Sequence, residues 1–276
     1  MWKLLREVGI YSDPYGELPH EKIDASCLEL DEIKCAGALR LKQLKKATQK
    51  NPRYAFLLPA MELITEPLPE GFFNFDPTSE AARTQDRHSA IKWEEHLKKL
   101  CDWGLLVKIA YDEGKHFAYY FAVPKGEDMA RAIWNGRTLS RTCRAPPAVN
   151  LPFLPDLINR LVQLSACGDL HILTGDWRHF FHTIRVSVQL SMYFGVAMES
   201  GGGKVRAFRW STLPMGWSFS PWIAQSVGWA AILHHEPDEE QLFDVPDDLT
   251  QLPTFIGIKG GGFVCLYYDT VRTSRV

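Results

Sequence analysis

Two aspartates stand where strongly apolar segments end, and the chemistry they could perform together is metal binding. Asp176 follows His-Ile-Leu-Thr-Gly, and Asp269 follows Phe-Val-Cys-Leu-Tyr-Tyr. If the two segments are neighbouring strands, both carboxylates reach one edge of a sheet, and paired carboxylate oxygens bind Mg²⁺. Two such ions about 3.5 to 4 Å apart can activate an attacking hydroxyl and stabilise a leaving pyrophosphate. The spacing also fits a simpler interpretation, in which each aspartate is a turn or capping residue.

The residues around these aspartates form three motifs in a fixed order. They begin at Asp176 (Asp-Trp-Arg-His-Phe-Phe-His-Thr-Ile-Arg-Val), at Leu213 (Leu-Pro-Met-Gly-Trp-Ser-Phe-Ser-Pro) and at Phe263 (Phe-Val-Cys-Leu-Tyr-Tyr-Asp-Thr-Val). A fourth segment, residues 123–140, begins with Val-Pro-Lys and ends with Arg-Thr-Leu-Ser. Together, over roughly residues 90–276, these segments resemble the fingers and palm of reverse transcriptases. The first two motifs are similar to those of long-terminal-repeat and tyrosine-recombinase retroelements and of retroviruses.

The resemblance implies an α+β fold of the right-hand polymerase type, with palm and fingers. It implies an RNA-directed DNA polymerase that uses an RNA or DNA template with a primer, takes dNTPs, and requires two Mg²⁺ ions, with Mn²⁺ as a possible substitute. The chain ends seven residues after Asp269, so we expect the remaining palm strands and the thumb to be missing. The alternative is a catalytically inactive remnant that binds nucleic acid or a protein. An unrelated two-carboxylate nuclease or transferase would require the motif matches to be accidental.

The resemblance also implies a role for individual residues. Asp176 and Asp269 would hold the metal ions, together with the backbone carbonyl of Trp177. Phe181 would lie beneath the sugar of the incoming nucleotide and exclude a 2′-hydroxyl by its bulk. The remaining substrate-binding positions would be two cations that hold the triphosphate and two residues of the second motif: Lys125, Arg131, Met215 and Gly216. The glycine would allow the backbone to approach the nucleotide or template closely.

Three positions depart from the family pattern. Thr270 stands where the third motif has its second carboxylate, and a hydroxyl does not supply the lost negative charge. Met215 replaces a glutamine that would contact the nucleotide, and Ser140 replaces an asparagine of the fingers motif. The first two changes favour the inactive alternative, whereas the retained Asp176 and Phe181 favour an active enzyme.

Other features have simpler interpretations than binding or catalysis. His179 and His182 lack a third ligand nearby in the sequence, so we predict that they pack. Residues 201–204, Gly-Gly-Gly-Lys, lack the spacing of a phosphate-binding loop and predict a hairpin turn. Trp217 is predicted to pack in the core, with base stacking as the alternative. The basic run 34–53 is predicted to be solvated surface, with phosphate binding as the alternative.

Hydrophobic periodicity predicts the elements that would position these residues. Helices are predicted at 28–50, 79–103, 156–164 and 221–233, and strands at 105–111, 116–123, 171–174, 189–197, 205–210 and 262–268. Asp112-Glu-Gly predicts a hairpin between the first two strands. The segment 59–78, rich in Pro, Gly and Phe, is predicted to be a linker. We therefore divide the chain into an N-terminal helical appendage with its linker (1–80), whose role is unknown, and the fingers with a partial palm (81–276).

Composition excludes several classes of protein. The chain has 276 residues, of which 46% are hydrophobic, so it is too apolar to be disordered. A net charge of −2 argues against a protein that coats nucleic acid by bulk charge. The sequence lacks both a long apolar run and a signal peptide, which predicts an intracellular protein, cytoplasmic or nuclear, without a membrane partner. The six cysteines lack metal-binding spacing and are predicted to be reduced thiols; the oligomeric state stays open.

Overall fold

Helices alternate with short antiparallel strands along the part of the chain that the computed structural model describes. These residues are 40–78, 93–124, 130–177, 179–200, 204–234, 242–267 and 270–275. Their strands form sheets of three, five and two strands, and every pairing between named strands is antiparallel. The α+β class predicted from the sequence is therefore confirmed.

The first described segment consists of helices that pack into the main core. They are α1 (Leu41–Lys50), a 3₁₀ helix (Pro52–Leu57) and α2 (Leu58–Thr65). A linker was expected from residue 59, but the helix α2 occupies 58–65. Pro59 is compatible with this helix because a proline in the first turn removes an N–H that has no intrahelical partner anyway. The division of the chain at residue 80 stays a prediction.

A three-stranded sheet follows, with the helix α3 (Trp93–Asp102) leading into its first strand. Its order is β1 (Leu106–Ile109), β6 (Lys204–Trp210) and β5 (Gly195–Ser200). The predicted hairpin is confirmed, since Ser200 is the register partner of Lys204. The strand predicted at 189–197 is wrong in its first part, because residues Val188–Ser191 form a helix and the strand begins only at Gly195.

The predicted hairpin between residues 105–111 and 116–123 is wrong. The strand β1 pairs with β6, whereas β2 (Tyr120–Pro124) pairs with β3 (Ala130–Trp134) in a separate two-stranded sheet. The segment between β1 and β2 is held by the core instead, because His116 and Phe117 are buried beside Gly195.

The five-stranded sheet contains the strands that carry the first and third motifs. Its order is β4 (His171–Asp176), β10 (Thr270–Arg275), β9 (Phe263–Tyr267), β8 (Phe255–Ile258) and β7 (Phe243–Asp244). The strands predicted at 171–174 and 262–268 are therefore confirmed.

Two helices cover opposite faces of this sheet, and the alternation of β9 shows how. Phe263 and Cys265 pack with Leu157 of α5 (Leu154–Ser165). Val264 and Leu266 belong to the larger core, which contains α8 (Ser220–Leu233). Successive side chains of a strand point to opposite faces, so one short apolar strand serves both helices. The helix α8 is buried on nearly all sides, which explains its apolar composition.

Three short helices complete the described fold: α4 (Arg137–Thr142), α6 (Phe180–Thr183) and α7 (Val188–Ser191). Across the described ranges, none of the helices has the length and apolar character that crossing a membrane would require.

Candidate functional site

The strand β4 ends at Asp176, and the register of the sheet decides what lies opposite. The Cα partner of Asp176 is Thr270, the first residue of β10. Thr270 is also the partner of Tyr267, the last residue of β9, so β9 and β10 form a tight antiparallel pair. Asp269 lies outside the described residues, but it directly precedes Thr270 in the sequence. The sheet therefore brings Asp176 opposite the chain neighbour of Asp269.

After Asp176 the chain leaves the sheet and enters α6. Trp177 is half-buried and its ring stacks on that of Phe180, with the ring centroids 4.7 Å apart. Phe180 is buried in the core, whereas Phe181, the residue predicted to contact the sugar, is half-buried. The two neighbouring phenylalanines therefore differ in exposure, and only Phe181 keeps a substantial accessible surface beside the end of β4.

The histidines of the first motif take part in packing. The ring of His182 stacks on Trp210 with centroids 5.2 Å apart and an interplanar angle of 3°. Burial lowers the pKa of His182 to about 3, with smaller contributions from His179 and His96, so its ring is neutral near pH 7. This contact agrees with the predicted packing role. The structure forms no group of three or more potential His, Cys, Asp or Glu metal ligands among the residues it describes.

The second motif forms a loop that packs against the end of β3. Gly216 has a φ of +113°, and a Cβ atom built on it would lie 2.0 Å from the carbonyl oxygen of Trp134. Glycine is required here by contact with this backbone; an approach of Gly216 to a nucleotide stays a prediction. Met215, also predicted to bind substrate, is half-buried between the buried residues Leu213 and Trp217.

Trp217 belongs to the core, as predicted. Its side chain is only 2% exposed and stacks on Phe219, with ring centroids 5.1 Å apart. A base cannot stack on a side chain that is almost wholly buried, so the alternative interpretation of Trp217 is wrong.

Ser140 joins the fingers motif to the second motif. Its hydroxyl donates to the carbonyl oxygen of Gly136 at 2.7 Å and accepts from the backbone N–H of Ser218 at 3.0 Å. Sequence reasoning treated Ser140 only as a replacement for asparagine and missed this role. The available signal was its position at the end of the fingers motif, residues 123–140, which the resemblance to reverse transcriptases includes.

Gln225 is a second residue whose role sequence reasoning missed. Its amide is fully buried in α8; its Oε1 accepts from the N–H of Asn150 at 3.2 Å, and its Nε2 donates to the Asn150 carbonyl at 2.8 Å. The same Nε2 lies 3.5 Å from the carbonyl oxygen of Leu266 in β9. A single glutamine within a very apolar helix was the available signal, because a buried amide needs hydrogen-bond partners.

The two predicted triphosphate-binding cations are only partly covered by the structure. Lys125 lies outside the described residues. Arg131 is in β3, where its Cα partner is Val123, and this strand pair is separate from the sheet that contains Asp176. The contact of Trp134 with Gly216 joins the end of β3 to the second-motif loop.

Neither a protein-family model nor a curated protein sequence matches this chain.

Proposed function

We propose that this chain is the fingers and partial palm of a right-hand RNA-directed DNA polymerase of a retroelement. The reaction would join a dNTP to the 3′-hydroxyl of a primer on an RNA or DNA template and release pyrophosphate. The observation that carries the proposal is the register of β4 with β10, in which Asp176 is opposite the residue that follows Asp269.

This register fits a site with two metal ions. Cα atoms of residues directly opposite in an antiparallel pair lie about 4.5 to 5.5 Å apart, so the chain neighbour of Asp269, Thr270, starts at about this distance from Asp176. Two carboxylates that share ions about 4 Å apart would have to come from one such end of a sheet. Asp176, Asp269 and the carbonyl of Trp177 are hard oxygen donors of the kind that Mg²⁺ prefers. Bound there, Mg²⁺ would stabilise negative charge on the attacking and leaving oxygens.

The other residues would bind and orient the substrates. The accessible part of Phe181 would exclude a 2′-hydroxyl, and Lys125 and Arg131 would hold the triphosphate. Arg131 stands three residues before Trp134, about 10 Å along an extended strand. Since Trp134 packs on Gly216, the arginine is on a strand fixed directly to the second-motif loop. Such fixed positioning supports nucleotidyl transfer, a reaction in which orientation and charge neutralisation supply most of the catalysis.

An inactive nucleic-acid-binding or protein-binding remnant is the second candidate, and Thr270 favours it. The register partner of Asp176 is a residue without charge, whereas the resembling enzymes have a carboxylate in that motif position. The two candidates share the fold and differ only in chemistry, so activity distinguishes them.

Primer extension by the purified chain tests the proposal. The substrate is a DNA primer annealed to an RNA template, supplied with dNTPs and either Mg²⁺ or Mn²⁺. We expect addition of at least one nucleotide by the wild-type chain, and none by Asp176→Asn. The matched control is Asp169→Asn, which removes an exposed carboxylate just before β4 and should leave extension unchanged.

Thermal unfolding of both variants shows whether the fold is retained. An Asp176→Asn variant that still extends the primer would refute the proposed site. A wild-type chain that adds no nucleotide with either ion would favour the inactive remnant.

A further inference from the structure

The helix α1 and the turn after it carry an unusual charge pattern. Residues 40–53 contain six cations and no aspartate or glutamate. The cations are Arg40, Lys42, Lys45, Lys46, Lys50 and Arg53. This region lies before the part of the sequence that resembles reverse transcriptases, so the resemblance gives it no role.

Two of these cations are paired with carboxylates. Lys45, whose side chain is 12% exposed, pairs with Glu66, and Arg53 pairs with Asp247 at 2.5 Å. The other four are exposed and form no ion pair with any described residue. We name the three lysines among them, Lys42, Lys46 and Lys50, the basic face of α1; Arg40 is the residue that precedes the helix.

The lysines of the basic face repeat every four residues. With a rise of 1.5 Å per residue, Lys42, Lys46 and Lys50 follow one another in steps of about 6 Å along one side of the helix. Like charges at this spacing destabilise a helix. The helix α3 avoids the problem, because its Lys99 pairs with Glu95 at 3.2 Å. Lysines clustered along one side of a helix are typical of a surface that binds an anionic partner.

The opposite side of α1 is fixed to the core. Thr48 is fully buried and its hydroxyl lies 3.3 Å from Nε2 of His234, at the end of α8. Six residues earlier in α8, about 9 Å along the axis, Gly228 packs on Leu266 of β9. The basic face is therefore held rigidly by the helix that supports the strand before Asp269.

An open depression continues the basic face beyond the end of α1. It has a volume of about 340 Å³ and is lined by Lys50, Asn51, Arg53, Tyr54, Phe243 and Val245. The Arg53–Asp247 pair at its rim is solvent-exposed on both sides, and such pairs contribute little to stability. A phosphate could therefore replace the carboxylate of Asp247 as the partner of Arg53 at low cost.

We propose that the basic face of α1 binds the phosphate backbone of a nucleic acid. Identifying that nucleic acid as the template–primer duplex rests on the proposed function. Regularly spaced cations complement regularly spaced phosphates, and such contacts are independent of base sequence. A membrane surface is disfavoured, because a helix that lies on lipid inserts exposed apolar side chains. Among residues 40–53, all of them described, no large hydrophobic side chain is exposed.

The test measures binding of a fluorescein-labelled RNA–DNA hybrid duplex by anisotropy across a range of KCl concentrations. The variant K42Q/K46Q/K50Q removes three charges from the basic face. The matched control K98Q/K108Q/K115Q removes three exposed charges from elsewhere in the described chain. We expect the first variant to bind about 100-fold more weakly near 0.1 M salt, and its salt slope to fall by about 2 to 3. The control should bind like the wild-type chain.

Equal losses in the two variants would overturn the proposal, as would a wild-type chain that does not bind the duplex. Binding to phosphatidylserine vesicles in place of the duplex would overturn it in favour of a membrane surface. Circular dichroism shows whether both variants keep their helices. Asp176→Asn, measured in parallel, separates the two proposals, since it should abolish extension without changing duplex affinity. If the α1 variant binds the duplex as the control does while Asp176→Asn fails to extend the primer, only the present inference fails. If the α1 variant binds weakly while Asp176→Asn still extends the primer, the present inference stands and the proposed catalytic site fails.

Discussion

Lowering the pH from 7 to 5 should destabilise the fold through histidines whose pKa values burial lowers, namely His96, His116 and His182; the first two are the ones to substitute. His96 is 5% exposed and His116 is fully buried. Burial lowers the pKa of each to about 4; for His96 the nearby Lys99 adds to the effect, and for His116 a contact with the Pro77 backbone opposes it. In the unfolded chain a histidine titrates near pH 6.5. Between pH 6.5 and about 4, therefore, only the unfolded state takes up these protons.

The sign and size of the effect follow from this difference. The stability contributed by the neutral rings is complete above pH 6.5 and is lost as the pH falls towards 4. With pKa values of about 4, proton linkage gives a loss of about 2 kcal/mol each for His96 and His116 at pH 5, or about 4 kcal/mol together, and His182 adds a similar loss. Because domains are stable by only about 5 to 15 kcal/mol, such a loss is large.

Urea unfolding followed by tryptophan fluorescence at pH 7 and pH 5 measures the loss. In His96→Phe or His116→Phe, one titrating ring is removed, so the decrease between the two pH values should shrink by about 2 kcal/mol. The control His171→Gln changes an exposed histidine at the start of β4 and should keep the wild-type decrease. The reasoning is refuted if a variant with both His96→Phe and His116→Phe loses as much stability between pH 7 and pH 5 as the wild-type chain.

Two substitutions test the contacts that position the second motif. Gly216→Ala would place a methyl group 2.0 Å from a carbonyl oxygen of β3, at a φ of +113°, so we expect a loss of about 2 to 4 kcal/mol in urea unfolding. Gly71→Ala is its control, with a φ of +67° but nothing within 4 Å, and should lose only about 1 to 2 kcal/mol; similar losses would contradict the packing argument. Gln225→Leu leaves the N–H and C=O of Asn150 without their partner and should cost about 1 to 3 kcal/mol. The exposed control Gln163→Leu should change stability by less than about 0.5 kcal/mol. A Gln225→Leu variant as stable as this control would show that the hydrogen bonds between Gln225 and Asn150 do not stabilise the fold.

Sequence patterns predict the elements around the candidate site well, since each is marked by its own residues. The apolar run of α8 and the strand before Asp269 are examples, because continuous burial selects apolar side chains over the whole segment. The β5–β6 hairpin is also local, since its turn and both strands are adjacent in the sequence. These predictions need no knowledge of the rest of the chain.

The pairing of distant strands was harder to predict. The pattern Asp112-Glu-Gly fits a hairpin, yet β1 pairs with β6, a hundred residues later, because the apolar residues beside β1 complete the core with Trp210. Local turn chemistry competes with such tertiary burial and does not decide the outcome. The helix α2 shows the same limit, since Pro59 signals a break in a linker and a first helical turn equally well.

The roles of Ser140 and Gln225 depend on three-dimensional neighbours and could not follow from spacing. Each is a polar group that satisfies backbone atoms of another segment: Ser218 for the serine, and Asn150 for the glutamine. The sequence shows that such residues need partners, whereas only the fold shows which atoms they meet.

Thr270 connects the resemblance to reverse transcriptases with the register of the sheet. It stands where their third motif has a second carboxylate, and it is the register partner of Asp176. A carboxylate at this position would start from a backbone about 5 Å from that of Asp176, so it would add a further negative charge to the proposed site. With threonine there, the proposed site has one fewer anionic ligand, which reduces both the repulsion between carboxylates and the attraction for a divalent ion. Of Mg²⁺ and Mn²⁺, the two ions in the activity test, Mg²⁺ is the more demanding, because it requires near-ideal octahedral coordination by hard oxygens. Primer extension with Mn²⁺ is therefore the decisive part of the activity test. A site weakened by the loss of one ligand should still add nucleotides with Mn²⁺, the less demanding ion. An inactive remnant should add none with either Mn²⁺ or Mg²⁺.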